Sequence, residues 1–174
     1  MAGAIVPLLI ISGSLGTGKT TVLNEASDLL TEAGIPHAAI DLDGLAVMHP
    51  RHDPHGARLS FANLAAVWPN YVAAGADRLI IARVVEDRAD LDRYRAAIPG
   101  AQPVVCRLTA AVGVMHERLR VREPGMFLEQ ALSRAAELDS ILDRSRVEDF
   151  SVDNGSGRPV GAVAREVLRH AGWL

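Results

Sequence analysis

A glycine-rich segment near the amino terminus has the most specific chemical pattern in the sequence. Residues 13–20 fit the P-loop pattern G-x-x-x-x-G-K-[ST], in which backbone N–H groups cradle phosphates. Glycines let the backbone approach an anion, and a following helix would direct its N-terminus at the same charge. Lys19 is expected to reach the β- and γ-phosphates, and the Thr20 hydroxyl to bind Mg²⁺. The residues predicted to hold the nucleotide here are Gly13, Ser14, Leu15, Gly16, Thr17, Gly18, Lys19, Thr20 and Thr21.

The single lysine of the chain stands inside this segment. Of the 18 lysine and arginine residues, only Lys19 is a lysine. Arginine does not substitute for a compact ammonium on a flexible stem, so a lysine at this position favours phosphate binding over a glycine-rich turn without a ligand. The guanine-recognising motif Asn-Lys-x-Asp needs a second lysine, so the pattern indicates ATP rather than GTP.

Two acidic residues follow the second apolar run. Asp41 and Asp43 come directly after the segment that ends at Ile40. Ligands of open α/β sheets bind at the carboxyl ends of the strands, which would place both acids near the P-loop. If both residues stay in extended chain they point to opposite sides, which predicts separate tasks. The alternative is a turn-forming aspartate followed by a solvated acid.

Arginines cluster at the end of the fourth predicted helix, just before a break in the helical pattern. Arg118 and Arg122 are four residues apart and share one helix face just before Glu123-Pro124-Gly125. A planar guanidinium suits the oxygens of a phosphoryl group in transfer. We predict Arg122, which is nearest the break, as the catalytic arginine, with Arg118 second. The alternative is a solvated helix face with favourable cations at its C-terminus.

A loop rich in histidine follows the two acids. His49, Arg51 and His52 are predicted to bind the substrate that accepts the phosphoryl group. Zinc binding, which would also use His55, and a plain solvated loop are the alternatives, because a loop with two prolines gives the histidine spacing no helical meaning.

Arg83 stands at the end of the third apolar run and is expected to be buried. A buried guanidinium needs a partner, which would be Asp41, Asp43 or an anionic acceptor. We therefore assign Arg83 to the acceptor side, with a Walker B acid at Glu86 as a weaker interpretation of the same segment.

Short apolar runs alternate with amphipathic stretches along the whole chain. This alternation predicts a three-layer α/β sandwich with a mostly parallel sheet, in one domain covering 1–174. Pro69 is expected to kink or split the second helix, and Pro159 to occupy the first position of the last helix. The predicted strands cover residues 5–12, 37–41, 78–85, 103–108 and 149–152. The predicted helices cover residues 19–33, 60–74, 88–98, 110–121 and 127–142, with a last one from Pro159.

The P-loop, the segment Asp41-Leu42-Asp43-Gly44 and the late arginine-rich helix together resemble a group of small-molecule kinases. The group includes gluconate, shikimate and adenylylsulfate kinases and uncharacterised actinobacterial ATP-binding proteins. The resemblance implies a P-loop NTPase fold with strand order 2-3-1-4-5, Asp41 as the acid that holds Mg²⁺, and Asp43 as the acid facing the acceptor hydroxyl. Gluconate and adenylylsulfate kinases tend to have Asp-Gly-Asp, so Leu42 means that neither family's acceptor is implied.

The same resemblance implies two further parts of the nucleotide site. A short lid would cover about residues 118–127. The loop after the fifth strand would pass the adenine, so Asn154, Gly155 and Arg158 are assigned to the nucleotide, with the Arg158 guanidinium stacking on the base. An ordinary turn before the last helix is the alternative.

Composition limits the remaining choices. A net charge of −3 gives no general attraction to nucleic acid, no apolar stretch is long enough to span a bilayer, and a single Cys106 fits a reducing cytoplasm. We expect a Mg-ATP-dependent kinase that phosphorylates a hydroxyl of a small polar metabolite or antibiotic-like molecule, with a homodimer left open. The alternative is an ATP-binding switch or chaperone-like module without a small-molecule acceptor.

Overall fold

A computed structural model describes residues 5–50, 53, 57–123 and 125–174 of the chain. Five parallel strands form one sheet in the order β2-β3-β1-β4-β5, which confirms the predicted fold class and strand order. The strands are β1 (Val6–Ser12), β2 (Ala38–Asp41), β3 (Leu79–Ala82), β4 (Ala101–Thr109) and β5 (Phe150–Asp153).

Helices cover both faces of the sheet. One apolar core joins the sheet to α2 and α3, and the other joins it to α1 and α6. No helix within the described ranges is long and apolar enough to span a membrane. The helices are α1 (Lys19–Glu32), the 3₁₀ helix Leu42–Ala46, α2 (Ala57–Ala73), α3 (Arg88–Ala97), α4 (Val112–Arg122), α5 (Phe127–Ser145) and α6 (Val160–His170).

β1 is the central strand and pairs with β3 on one side and β4 on the other. Leu9, Ile10 and Ile11 are completely buried, because helices cover both faces of a parallel sheet. This burial explains the continuous apolar run in the sequence. The strand ends at Ser12 and delivers the P-loop at the carboxyl edge of the sheet.

α1 begins directly from the P-loop. Gly18 occupies the N-cap position and no side chain caps the helix, so its first N–H groups face an incoming anion. At the other end Gly34 has φ 68°. Its N–H donates to Thr31 O at 3.0 Å, and the N–H of Ile35 donates to Leu30 O at 2.9 Å. These bonds form the glycine-dependent helix end predicted from the sequence.

Three local predictions are corrected. β3 ends at Ala82 rather than at residue 85, because the chain then turns so that the N–H of Val85 donates to Ser12 Oγ at 3.0 Å. Pro69 does not split α2, which is one helix from Ala57 to Ala73; the carbonyl that loses its partner belongs to the exposed Ala65. Pro159 is the N-cap of α6 rather than its first helical residue.

Candidate active site

The P-loop packs so closely against its neighbours that none of its three glycines leaves room for a side chain. Gly16 has φ 82° and Gly18 has φ 90°, conformations that residues with a Cβ rarely adopt. A Cβ at Gly16 would lie 2.7 Å from Met115 O, and one at Gly18 would lie 2.5 Å from Asn154 Nδ2. The loop therefore needs glycine both for its conformation and for its contacts with α4 and the loop after β5.

Lys19 folds back over the P-loop. Its Nζ donates to Gly13 O at 2.9 Å and to Ser14 O at 3.0 Å. Burial lowers the pKa of Lys19 to about 8; the charge of Asp43 opposes that change, Arg122 adds to it, and Asp41 opposes it. A phosphate group beside this amine would stabilise its charged form.

Two other P-loop side chains hold the loop itself. The buried Ser14 hydroxyl donates to Ala135 O of α5 at 2.7 Å, and the Thr17 hydroxyl donates to Ser14 O at 2.8 Å. Because both hydroxyls are bonded within the protein, the predicted contact of Ser14 and Thr17 with a nucleotide would use only their backbone N–H groups. Leu15 is partly buried, and Thr21 is exposed on the side of the cavity described below.

Thr20 and Asp41 meet at the carboxyl edge of the sheet. The Thr20 hydroxyl donates to Asp41 Oδ2 at 2.6 Å, and Asp41 Oδ1 accepts from the N–H of Asp43 at 3.2 Å. Asp41 thus forms the aspartate turn and also lies beside the P-loop. Asp43 lies in the 3₁₀ helix, so the extended geometry considered for the two acids does not occur. A hydroxyl and a carboxylate are ligands that Mg²⁺ accepts.

The structure brings Arg83 to Asp43. Their Nη1 and Oδ1 atoms are 3.3 Å apart, and Nη1 also donates to Ser60 Oγ at 2.9 Å. The guanidinium lies over the ring of Phe61, with its central carbon 5.5 Å from the ring centroid. Of the partners considered for Arg83, the structure provides Asp43.

The two candidate arginines of α4 have different surroundings. Arg118 donates to Gly16 O at 3.3 Å and to Asn154 O at 2.9 Å, which places it against the P-loop. Arg122 pairs with Glu123 at 3.0 Å, and its side chain is 57% exposed. Arg118, which was predicted second to Arg122 as the catalytic arginine, is therefore the one in contact with the P-loop. Arg122 acts on Lys19 through its charge. Helical spacing shows a shared face but not which rotamer reaches a loop 100 residues away.

A cavity of about 320 Å³ extends from the P-loop between α4 and the loop after β5. Asn154 joins its two sides by donating from Nδ2 to Thr17 O at 2.8 Å. The Arg158 guanidinium donates to the backbone carbonyl of Asp153 and pairs with Glu166 at 2.6 Å, so it is held at the wall. The lining residues are Gly16, Gly18, Thr21, Arg118, Leu119, Arg122, Asn154, Arg158 and Val160. Gly155 follows Asn154, and its N–H donates to Asp153 Oδ2 at 3.1 Å.

The predicted acceptor loop is described only in part. His49 is exposed, whereas Arg51, His52 and His55 lie outside the described residues. The part of the chain that the structure describes contains no group of three or more His, Cys, Asp or Glu side chains that could hold a metal ion.

Sequence reasoning missed three residues beside the acceptor side. Ser60 and Phe61 contact Arg83, and the ring of Tyr94 meets that of Phe61 edge-on at 4.8 Å between centroids. The Tyr94 hydroxyl is buried and has no hydrogen-bond partner among the described residues. Burial raises the pKa of Tyr94, and the nearby Arg83 opposes that change. Aromatic residues such as Phe61 and Tyr94 at helical spacing have the pattern of ordinary core residues, and a single serine in a helix has no distinctive pattern. No sequence signal therefore distinguished these three positions.

Comparisons with known proteins find similarity of structure rather than of sequence. No protein-family model matches the chain, and no curated protein sequence matches it. A gluconokinase from Sinorhizobium meliloti 1021 is 21% identical over 98% of this chain and 94% of its own, with a TM-score of 0.56. The tunicamycin resistance protein of Deinococcus radiodurans is 19% identical over 97% of both chains, with a TM-score of 0.65.

A third structure is that of the APS kinase of Mycobacterium tuberculosis in complex with AMPPNP and APS. It is 19% identical over 96% of this chain and 98% of its own, with a TM-score of 0.63. These structures cover nearly the whole chain. The chain has the fold of the small-molecule P-loop kinases.

Proposed function

We propose that this chain is an ATP- and Mg²⁺-dependent phosphotransferase that acts on a hydroxyl of a small polar metabolite or antibiotic-like molecule. The main support is the 2.6 Å hydrogen bond from Thr20 to Asp41, because it joins the end of the P-loop to the carboxyl end of β2. Asp43 lies two residues after Asp41, in the 3₁₀ helix that Asp41 caps, and acts electrostatically on Lys19. Phosphate-binding, metal-binding and proton-accepting groups are thus close together at one edge of the sheet.

The residues present fit Mg-ATP. The P-loop holds Gly16 and Gly18 at positive φ against α4 and Asn154, and the cavity beside it has apolar walls at Leu119 and Val160 for a flat base. Thr20 and Asp41 would hold Mg²⁺ through oxygen atoms. When bound, Mg-ATP supplies the phosphoryl group and a metal charge that offsets the negative charge on its oxygens.

The other residues act on the acceptor and on the developing charge. Asp43 would orient the acceptor hydroxyl and take its proton as the acceptor oxygen bonds to the γ-phosphorus, while the bond from that phosphorus to the bridging oxygen breaks and ADP leaves. Lys19 offsets negative charge on the phosphoryl oxygens, and Arg122 would approach from the lid, residues 118–127. Arg118 holds the P-loop against the loop after β5.

The comparisons support the kind of reaction but not the acceptor. Their names include a gluconokinase, a tunicamycin resistance protein, an APS kinase and a shikimate kinase in complex with shikimate, so one fold accommodates different acceptors. Leu42 lies between the two acids, at the position where gluconate and adenylylsulfate kinases tend to have glycine. Shikimate, APS and tunicamycin are therefore useful probes rather than expected substrates.

The alternative of a nucleotide switch would make use of acids after β3. In the structure Glu86 pairs with Arg134 of α5 at 2.6 Å, and Asp87 caps α3 by accepting from the N–H of Asp90 at 3.0 Å. Both acids are thus engaged with helices, which favours the kinase proposal.

Measurement of ATP turnover tests the proposal. Purified protein with Mg-ATP is supplied with shikimate, APS, tunicamycin and pools of polyhydroxylated metabolites, while ADP formation is followed and products are analysed by mass spectrometry. We expect slow hydrolysis alone, acceleration by one pool and a phosphorylated product. Lys19→Ala should abolish both rates, since the cradle loses its mobile cation. ADP formation that no small-molecule pool accelerates, but that a protein partner does, would contradict the proposal.

A further inference from the structure

The ion pair between Asp43 and Arg83 is unequal in its exposure to solvent. The Arg83 side chain is 11% exposed, whereas that of Asp43 is 64% exposed, and the contacting atoms are 3.3 Å apart. The guanidinium therefore lies below the carboxylate, on the side of the protein interior. An incoming acceptor meets Asp43 before it meets Arg83.

Arg83 is held by contacts that do not involve Asp43. Its Nη1 donates to Ser60 Oγ at 2.9 Å, its guanidinium lies over Phe61, and its backbone N–H donates to Ile11 O at 3.2 Å. Phe61 in turn packs against Tyr94 of α3. Ser60 and Phe61 of α2 contact the guanidinium, and β1 holds the Arg83 backbone, so the guanidinium keeps its place when the Asp43 carboxylate is absent.

Asp43 is held at two points and keeps one oxygen available. Its N–H donates to Asp41 Oδ1, and its Oδ1 lies against Arg83. Among the described residues no hydrogen bond or ion pair involves Oδ2 of Asp43. A carboxylate with one oxygen fixed and the other open has the geometry needed to accept a hydrogen bond from a hydroxyl.

We propose that Arg83 is a positioning residue for Asp43, and that the acceptor presents an uncharged hydroxyl at this point, with no carboxylate or phosphate beside it. This inference rests on the proposed phosphotransferase function. The charge of Arg83 is already matched by Asp43, and the guanidinium is nearly buried. An anionic acceptor would have to displace the carboxylate that takes the proton, and would leave it unpositioned.

Small anions test this arrangement without a known acceptor. Protein loaded with Mg²⁺ and AMPPNP, so that the P-loop is filled, is titrated with ¹³C-formate and with inorganic phosphate, and binding is followed by NMR. Binding of either anion should be no stronger in wild-type protein than in Arg83→Met. Asp43→Ala should bind formate at least about tenfold more tightly than wild type, since formate replaces the missing carboxylate on a charged donor.

The chain offers a matched control at the other end of β3. Arg78 directly precedes β3, pairs with the exposed Asp77 at 2.9 Å and lies over Trp173, as Arg83 directly follows β3 and lies over Phe61. Asp43→Ala combined with Arg78→Met should keep the new formate site, whereas Asp43→Ala combined with Arg83→Met should lose it. Melting curves show whether each variant folds, and the uncharged Arg83→Gln replaces Arg83→Met if the latter does not.

Kinetics with an acceptor found by the turnover screen give a second readout. Arg83→Met should lower kcat and leave the acceptor KM within about twofold, and Arg83→Lys should recover part of the rate. A higher KM at unchanged kcat, Arg83-dependent phosphate or formate binding by wild type, or no gain of formate binding in Asp43→Ala would each overturn the proposal. If Mg-AMPPNP does not bind, the proposed function fails, and the formate titration of nucleotide-free protein still tests the pair.

Discussion

Asp41 has a different partner on each of its two carboxylate oxygens. One accepts from the Thr20 hydroxyl and the other from the backbone of Asp43, so the residue links the P-loop to the 3₁₀ helix. At the scale of single residues, changes at Asp41 and Asp43 should therefore have different consequences.

Asp41→Asn should raise the Mg²⁺ concentration needed for ATP binding, because a neutral amide is a weaker ligand for a hard cation than a carboxylate. Isothermal titration of AMPPNP at a series of Mg²⁺ concentrations measures this shift. Asp43→Asn is the matched control and should leave the Mg²⁺ requirement nearly unchanged, while lowering kcat by about 10²–10⁴-fold once an acceptor is known. Identical behaviour of the two variants would disprove the division of roles.

The unpartnered hydroxyl of Tyr94 supports a prediction about stability. Tyr94→Phe removes a buried polar group that lacks a hydrogen bond among the described residues and keeps the ring contact with Phe61. We expect the free energy of unfolding to stay the same or rise by up to about 1 kcal/mol, since an unsatisfied hydroxyl destabilises a core. Urea denaturation measures it. A loss of about 1 kcal/mol or more would show that the hydroxyl has a partner in the folded protein.

At the scale of elements, α4 and the loop after β5 meet at the P-loop through Arg118 and Asn154. Arg118→Met should weaken AMPPNP binding by about tenfold, because charge-assisted hydrogen bonds that shape the cavity proposed to hold the base are lost. Arg122→Ala should weaken this affinity less, since Arg122 lines the same cavity but pairs with Glu123 at the surface. Calorimetry on the two variants measures the difference. Equal losses would show that Arg122 also contacts the nucleotide.

The sequence was most informative about elements and least informative about side-chain contacts between distant ones. The strands, the P-loop and the helix end at Gly34 could be predicted because apolar runs, a glycine-rich motif and a single glycine are local signals, whereas the strand order was implied only by the resemblance to small-molecule kinases. The contact of Arg118 with Gly16 and that of Arg83 with Ser60 depend on rotamers across long separations in sequence. Spacing along a chain contains no information on such contacts.

At the scale of the whole molecule, Cys106 lies in the centre of β4 and is completely buried. Burial raises the pKa of its thiol to about 12. We expect no reaction with a thiol reagent at pH 8 in the native protein, since about one thiol in 10⁴ would be ionised and none is accessible. The reaction should become rapid in denaturant. Rapid labelling of native protein would show that β4 opens locally.

Lys19 combines a pKa of about 8 with the absence of any other lysine. Near pH 8 about half of its side chains are neutral and nucleophilic, so Lys19 is the one lysine that an amine-directed reagent can modify. Bound phosphates would protonate and shield it. Acylation of this one side chain is therefore a built-in footprint for nucleotide occupancy.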